Sequence, residues 1–333
     1  MHITRYATTL AILLAACQSE PTSTGTDTGT ANEIKSFQPA PGAGVAARAA
    51  SMKGMHHLPT VPLRKFGADV VRAPQADIVN SPFDLTYFGG ALVNGATSYN
   101  IYINCDAGPA SCWGSGSLTP GTFLADLNRS EFLKVTNEYI GSDARGHFPV
   151  QELSTSATFV DNTATVDDLL GVLFSAVSYT HAVGYTAIYH LFLPQGTDMC
   201  LDAGFCYSPD DYSQFAFCAF HASVDFGPDA HVLFSVEPYQ AVPGCVIPGQ
   251  APHGVIDATA STLSHELIET ITDPDGDAWF NSLFGLEIAD VCSAFGTNQK
   301  LGRHSYVIQS EYSNRAHACT APDPRTSAWT ATP

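Results

Sequence analysis

The sequence predicts an α+β fold: a single disulfide-stabilised domain with a mixed sheet and one late helix that carries metal-binding chemistry. Three observations lead there. Strand-like and helix-like segments alternate along the chain and are followed by a long apolar helical stretch near residue 265. That stretch holds Ser264-His265-Glu266-Leu267-Ile268-Glu269. Eight cysteines remain beyond Cys17, an even number that in an exported chain reads as a disulfide framework.

The elements follow in order. Leu85–Gly90 and Ser98–Asn104 read as strands. Residues 121–140 read as one helix, since Phe123, Leu124, Leu127, Phe132, Val135 and Tyr139 recur on one side. Thr165 is placed to cap a helix that continues through Leu169, Leu170, Val172 and Leu173. Strands are expected at about 187–193, 215–224 and 232–238. The late helix should start after Asp257, near Ala258, and stop before Pro274, which cannot continue it. Tyr306–Tyr312 reads as a last strand. The domain should span 80–322, with a flexible tail over 323–333.

The late helix carries the chemistry. Positions i and i+4 lie one above the other on a helix, so His265 and Glu269 project together as a nitrogen and an oxygen donor. Glu266 points to a neighbouring direction, where it could act as general base on a water. This is the zinc protease helix His-Glu-x-x-His with the second imidazole replaced by a carboxylate, which gives the domain its zincin-like expectation. Bound zinc makes hydroxide available near neutral pH. A third ligand belongs about 20 to 25 residues further on, where Glu287 and Asp290 both qualify. Asp290 is preferred, leaving Glu287 to orient His265. His221, in the apolar run Phe215–Phe220, is a candidate to stabilise an oxyanion or complete the metal shell, or else a structural residue. His181, His190, His231, His253, His304 and His317 have no informative spacing. Asp273, Asp275 and Asp277 alternate as in part of a calcium loop, but the full loop and its terminal Glu are absent, so a simple turn after the helix is the preferred reading.

The eight cysteines are Cys105, Cys112, Cys200, Cys206, Cys218, Cys245, Cys292 and Cys319. Eight allow 105 pairings; pairing between neighbours along the chain is the expectation adopted. No Cys-x-x-Cys occurs, which argues against a thiolate zinc site.

The N-terminus reads as a lipoprotein signal over residues 1–17. Arg5 precedes a short apolar core, and Leu14-Ala15-Ala16-Cys17 matches a lipobox with Cys17 as the lipidated residue. The expected location is the bacterial cell envelope, anchored in a lipid bilayer, at the outer membrane or cell surface. Residues 18–60, rich in Thr, Ser, Gly, Pro and Ala, read as a disordered tether. His56 and His57 lie at its end. No other run is long and apolar enough to span a membrane as a helix.

Charge narrows the partners. Between Arg145 and Lys300 there is no Lys or Arg, while 19 Asp and Glu fall in the interval. Those carboxylates must be solvated, hydrogen-bonded or bound to metal. The same balance argues against nucleic acid.

The run Ser264–Pro274, then Trp279, then Glu287-Ile288-Ala289-Asp290-Val291-Cys292 resembles the Exordium, or phosphate-induced protein 1, family of plants and its bacterial and fungal relatives. Phe217-Cys218-Ala219-Phe220-His221 is similar to that family's Cys-x-x-His strand, and Tyr87-Phe88-Gly89-Gly90 to its N-terminal Gly-Gly strand. The resemblance implies a secreted domain with a zincin-like motif. The expected function is a surface-anchored, zinc-dependent hydrolase, a peptidase in the first instance. The alternative is a non-catalytic, metal-stabilised extracellular module that binds polysaccharide or protein. An accessible cleft over His265 and Glu266 favours the enzyme, and a plugged one the module.

Overall fold

A computed structural model describes residues 34–59, 81–247, 253–322 and 329–331, with 56–59 and 329–331 described by backbone alone. All lie in one compact unit, Glu33–Pro333. Cys17, the signal and residues 18–33 of the tether fall outside the described residues.

The architecture is mixed α/β around a seven-stranded mixed sheet. Its strands are β1 (Lys35–Ser36), β2 (Ser51–Pro59), β3 (Thr97–Ile103), β4 (Val150–Thr155), β5 (Ala187–Phe192), β6 (Phe217–Asp225) and β7 (His231–Glu237). The spatial order is β1-β4-β3-β5-β7-β6-β2. Pairs from β1 to β7 are parallel, whereas β6 runs antiparallel to both β7 and β2. Strands β5 and β6 are buried almost throughout, as expected of central strands covered on both faces.

Helices cover both faces. On one side lie α1 (Ala43–Ala49) and α3 (Val166–Thr180), over a core that includes Leu169, Leu173, Tyr189 and Phe234. On the other lie α2 (Pro120–Asn128) and α4 (Val255–Thr272), over Phe123, Phe192, Leu263 and Ile268. Beyond α4 come β8 (Gly296–Leu301), β9 (His304–Gln309), β10 (Glu311–Ser313) and β11 (Ala318–Pro322). Strand β9 packs along α4. Among the described residues no helix is long and apolar enough to cross a membrane.

The expected cap of α3 is present in full. Thr165 Oγ1 accepts from Asp168 N at 3.2 Å and Asp168 Oδ2 accepts from Thr165 N at 3.0 Å, so two otherwise unpaired donors are satisfied. The four neighbour disulfides also form: Cys105–Cys112, Cys200–Cys206, Cys218–Cys245 and Cys292–Cys319.

Five expectations need correction. Residues 34–59 of the anticipated tether are built into the fold: β1 pairs with β4, and β2 forms an edge of the sheet beside β6. Sheet pairing and the packing of Phe37 and Ala47 supply what the composition of this segment conceals. The helix expected over 121–140 breaks after Asn128 into a 3₁₀ turn (Phe132–Thr136) and a short helix (Asn137–Ile140). There Ser130 Oγ donates to Leu127 O at 2.7 Å and Gly146 N takes Asn128 O, so the backbone finds partners outside a continuous helix. Of the strand expected over 85–90, only Thr86–Tyr87 pairs, with Trp279–Phe280. Gly89 has φ +98°, and a methyl on Gly90 would overlap Asp277. The last strand is two, β9 and β10, interrupted at Ser310. In the tail, Trp329–Ala331 pairs with β11.

Candidate metal centre

Helix α4 begins three residues earlier than the sequence indicates. Its first turn is held by Asp257, whose carboxylate accepts from His253 N and Val307 N, both at 2.9 Å. The helix ends at Thr272, and Asp273 leaves helical geometry (φ −151°, ψ 63°) just before Pro274. His265, Glu266 and Glu269 are 0% exposed and face the sheet and the 287–290 segment.

As the i, i+4 spacing requires, His265 Nε2 and Glu269 Oε2 lie 3.1 Å apart. Asp290 joins them from a 3₁₀ turn anchored by the Cys292–Cys319 disulfide, with its Oδ1 3.7 Å from His265 Nε2. Glu269 Oε1 accepts from Asp290 N at 3.0 Å, and Asp290 Oδ2 accepts from Glu287 N at 3.2 Å. Those bonds leave Glu269 Oε2 and Asp290 Oδ1 turned toward the imidazole.

His221, on β6, comes to the other side of Glu269. Its Nδ1 lies 3.2 Å from Glu266 Oε2 and 3.6 Å from Glu269 Oε2, while Nε2 lies 3.7 Å from Glu287 Oε2. Every residue proposed from the sequence for the zinc site therefore converges: His221, His265, Glu266, Glu269, Glu287 and Asp290. The one reassignment concerns Glu287, which faces His221, whereas the residue beside His265 is Gln309.

Three participants escaped the sequence reading. Gln309 donates through Nε2 to Ala289 O at 2.5 Å, so its Oε1, 3.3 Å from His265 Nδ1, is an acceptor. His265 Nδ1 is therefore the donor to Gln309, and Nε2 is turned to Glu269 and Asp290, where it would give its lone pair to a metal once deprotonated. Glu311, on β10, is fully buried, and neither carboxylate oxygen has a hydrogen-bond partner. Glu237, at the end of β7, accepts from Ser235 Oγ at 2.8 Å through one oxygen only. The signal for these residues was a charged or amide side chain inside an apolar strand run, as in Tyr306–Tyr312.

Protonation reflects the crowding of carboxylates. Burial and then Glu269 hold Glu266, Glu287 and Glu311 well above the usual carboxylate range. The same causes raise Asp290 to about 7, and burial raises Glu237 to about 7. Burial alone would lower His265, but Glu269 and Asp290 outweigh it and bring it to about 9. A buried carboxylate without hydrogen bonds costs several kcal/mol unless it takes a proton or a metal. The donor set of imidazole nitrogens and carboxylate oxygens suits a borderline or hard divalent ion. Two triads have donor atoms within 4.8 Å of one another: His221, Glu266 and Glu269, and His265, Glu269 and Asp290. The residues thus fit a metal.

The calcium candidates do not gather. Asp273 Oδ1 accepts from Ala278 N at 2.7 Å, and Asp275 is held by Tyr185 and Ser223. These residues form no candidate ion set among the described residues. Instead Asp275 closes a surface network. His231 Nδ1 lies 2.7 Å from Asp225 and its Nε2 3.2 Å from Asp275, while Lys53 Nζ lies 2.8 Å from Asp225.

No family model matches this chain, and neither a curated protein nor a solved structure matches it.

Proposed function

We propose that this chain is an exported, lipid-anchored domain of zincin-like architecture, organised around a divalent metal centre and acting as a metal-stabilised extracellular module. One observation carries the reading. His221, His265, Glu266, Glu269 and Glu287 are all 0% exposed, so the donors face one another and not solvent. Structural metal sites are closed in this way, whereas catalytic ones keep a position open to substrate. His265, Glu269 and Asp290 would hold the ion and so tie α4 to the turn after it. The partner is an extracellular polysaccharide or protein. Tyr87, Phe88, Leu283 and Phe284 are exposed, and Phe88 is stacked on Phe280 at 4.2 Å; exposed rings of this kind suit stacking on sugar rings or apolar side chains. The fold motif and the resemblance to the Exordium family support the same assignment.

Purified protein tests this reading through its metal content and its melting temperature with and without a chelator. Metal-free protein with an unchanged melting temperature rejects it.

A second reading, a zinc-dependent peptidase, is favoured by Glu266. Its Oε2 is held by His221, while Oε1 has no hydrogen-bond partner and could accept a proton from water. The ion would supply Lewis-acid polarisation of the scissile carbonyl. A peptide-library digest separates the two readings: cleavage by the native protein, abolished in Glu266→Gln, selects the peptidase. No cleavage by the metal-loaded protein selects the module.

A further inference from the structure

We infer that the centre holds two divalent cations that share Glu269. The inference rests on the metal reading above and extends it.

Three independent features carry it. The first is geometry. Donor atoms around one ion with bonds of roughly 2.0–2.2 Å stand about 3.4 Å apart in tetrahedral geometry. From Glu269 Oε2, His265 Nε2 lies at 3.1 Å and His221 Nδ1 at 3.6 Å. Glu266 Oε2 is 3.2 Å from His221 Nδ1, and Asp290 Oδ1 is 3.7 Å from His265 Nε2. Each side is spaced for ligation, yet the two imidazoles fall into separate triads that have only Glu269 in common. One carboxylate between two ions roughly 3.5–4 Å apart is the usual arrangement of a two-metal site.

The second is the orientation of the imidazoles. Gln309 fixes the proton of His265 on Nδ1 and turns Nε2 to the first triad. Glu287 faces His221 Nε2, which turns Nδ1 to the second. A polar group behind each ring, with the opposite nitrogen presented to carboxylates, is the arrangement that supports metal-bound histidine.

The third is charge. Glu266, Glu269, Glu287, Asp290 and Glu311 are five carboxylates at the centre, and the first four lie in a stretch with no Lys or Arg between Arg145 and Lys300. Were all five ionised as ligands and neighbours of metal, one dication would offset two of the negative charges and two dications four. Glu311 and Asp290 Oδ1, buried and without hydrogen bonds, mark where the excess lies. In this arrangement Glu266 is a ligand of the second ion and not a free base.

The test is zinc stoichiometry on the full-length protein after equilibrium dialysis, read by mass spectrometry of the metal. Two zinc ions per chain are expected, falling to one in Asp290→Asn and in His221→Gln, and to none in Glu269→Gln. One ion in the native protein overturns the pair and leaves the single-ion reading standing. No ion overturns both. Because a variant could fail to fold, the native protein loaded with manganese provides a second readout. A spin-coupled resonance spectrum supports the shared carboxylate, and two isolated-ion signals or one reject it.

Discussion

Two polar clusters flank the same helix and handle charge in opposite ways. At the C-terminal end of α4, Asp275 meets His231, Tyr185 and Ser223, and His231 and Lys53 both meet Asp225, so each charged group has an opposite charge within 3.2 Å. This cluster is half open to water and its carboxylates titrate low: Asp225 is lowered first by Lys53, and Asp275, despite its burial, by His231. One turn inward, around Glu269, carboxylates outnumber imidazoles and are pushed upward. Residues of one chemical type thus form a self-sufficient latch in the first place and an incomplete site in the second. The difference is the supply of cationic partners at a given depth.

Metal removal should break this contrast most sharply. An ion that binds only the folded state at a thousandfold excess over Kd adds about 4 kcal/mol. At roughly 2–4 °C per kcal/mol for a domain of this size, chelation should lower the melting temperature by about 10 °C. The latch should remain, which scanning fluorimetry with and without zinc would check.

Next in size is Glu269→Gln against Asp275→Asn. The first removes the shared ligand and should cost about 3–5 kcal/mol together with all bound metal. The second breaks partly solvated contacts and should cost about 1–3 kcal/mol with metal content unchanged. Urea unfolding and metal analysis on both variants measure the pair. Equal metal loss in the two would erase the distinction between the clusters.

pH should act on the carboxylate-rich centre in opposite directions with and without metal. In the metal-free chain, Asp290 and Glu237 keep protons to about 7 that the unfolded chain releases near pH 4, so folded stability falls as pH rises from about 4 to 7. The raised His265 contributes stability that is fully present below about pH 6.5 and is lost as pH rises through about 9. Bound metal requires deprotonated ligands, so the zinc-loaded protein should gain on the metal-free one as pH rises. Parallel melting curves from pH 5 to 9, with and without zinc, test this; a gap that narrows with pH contradicts it.

Smallest is Gln309→Leu. Loss of the partner behind His265 should weaken metal affinity about 10- to 100-fold with the number of ions unchanged. Competition with a chromogenic chelator would report it.

Much of this centre was legible beforehand because its main residues lie close in sequence. His265, Glu266 and Glu269 follow from helical spacing, and Glu287 and Asp290 from a short downstream segment. The neighbour disulfides and the Thr165 cap are equally local. The residues that needed folding to be found are Gln309, Glu311 and Glu237, each at one end of its strand and far in sequence from the helix it serves. The same holds for β1 and β2, whose segment has a linker's composition and becomes structural only through strands far along the chain. The break after Asn128 was hidden because apolar periodicity continues through it, while Ser130 redirects the backbone.

By itself, the order of residues determined which donors exist, which of them share a helix face, and that no Lys or Arg in the middle of the chain could neutralise them. Only tertiary structure decided that β6 carries His221 to Glu269 and that β9 sets Gln309 behind His265. It also decided that the carboxylates are enclosed and not solvated. The physical reason is distance: a helix relates neighbours four residues apart, but the cost of burying a charge depends on what the rest of the chain packs around it.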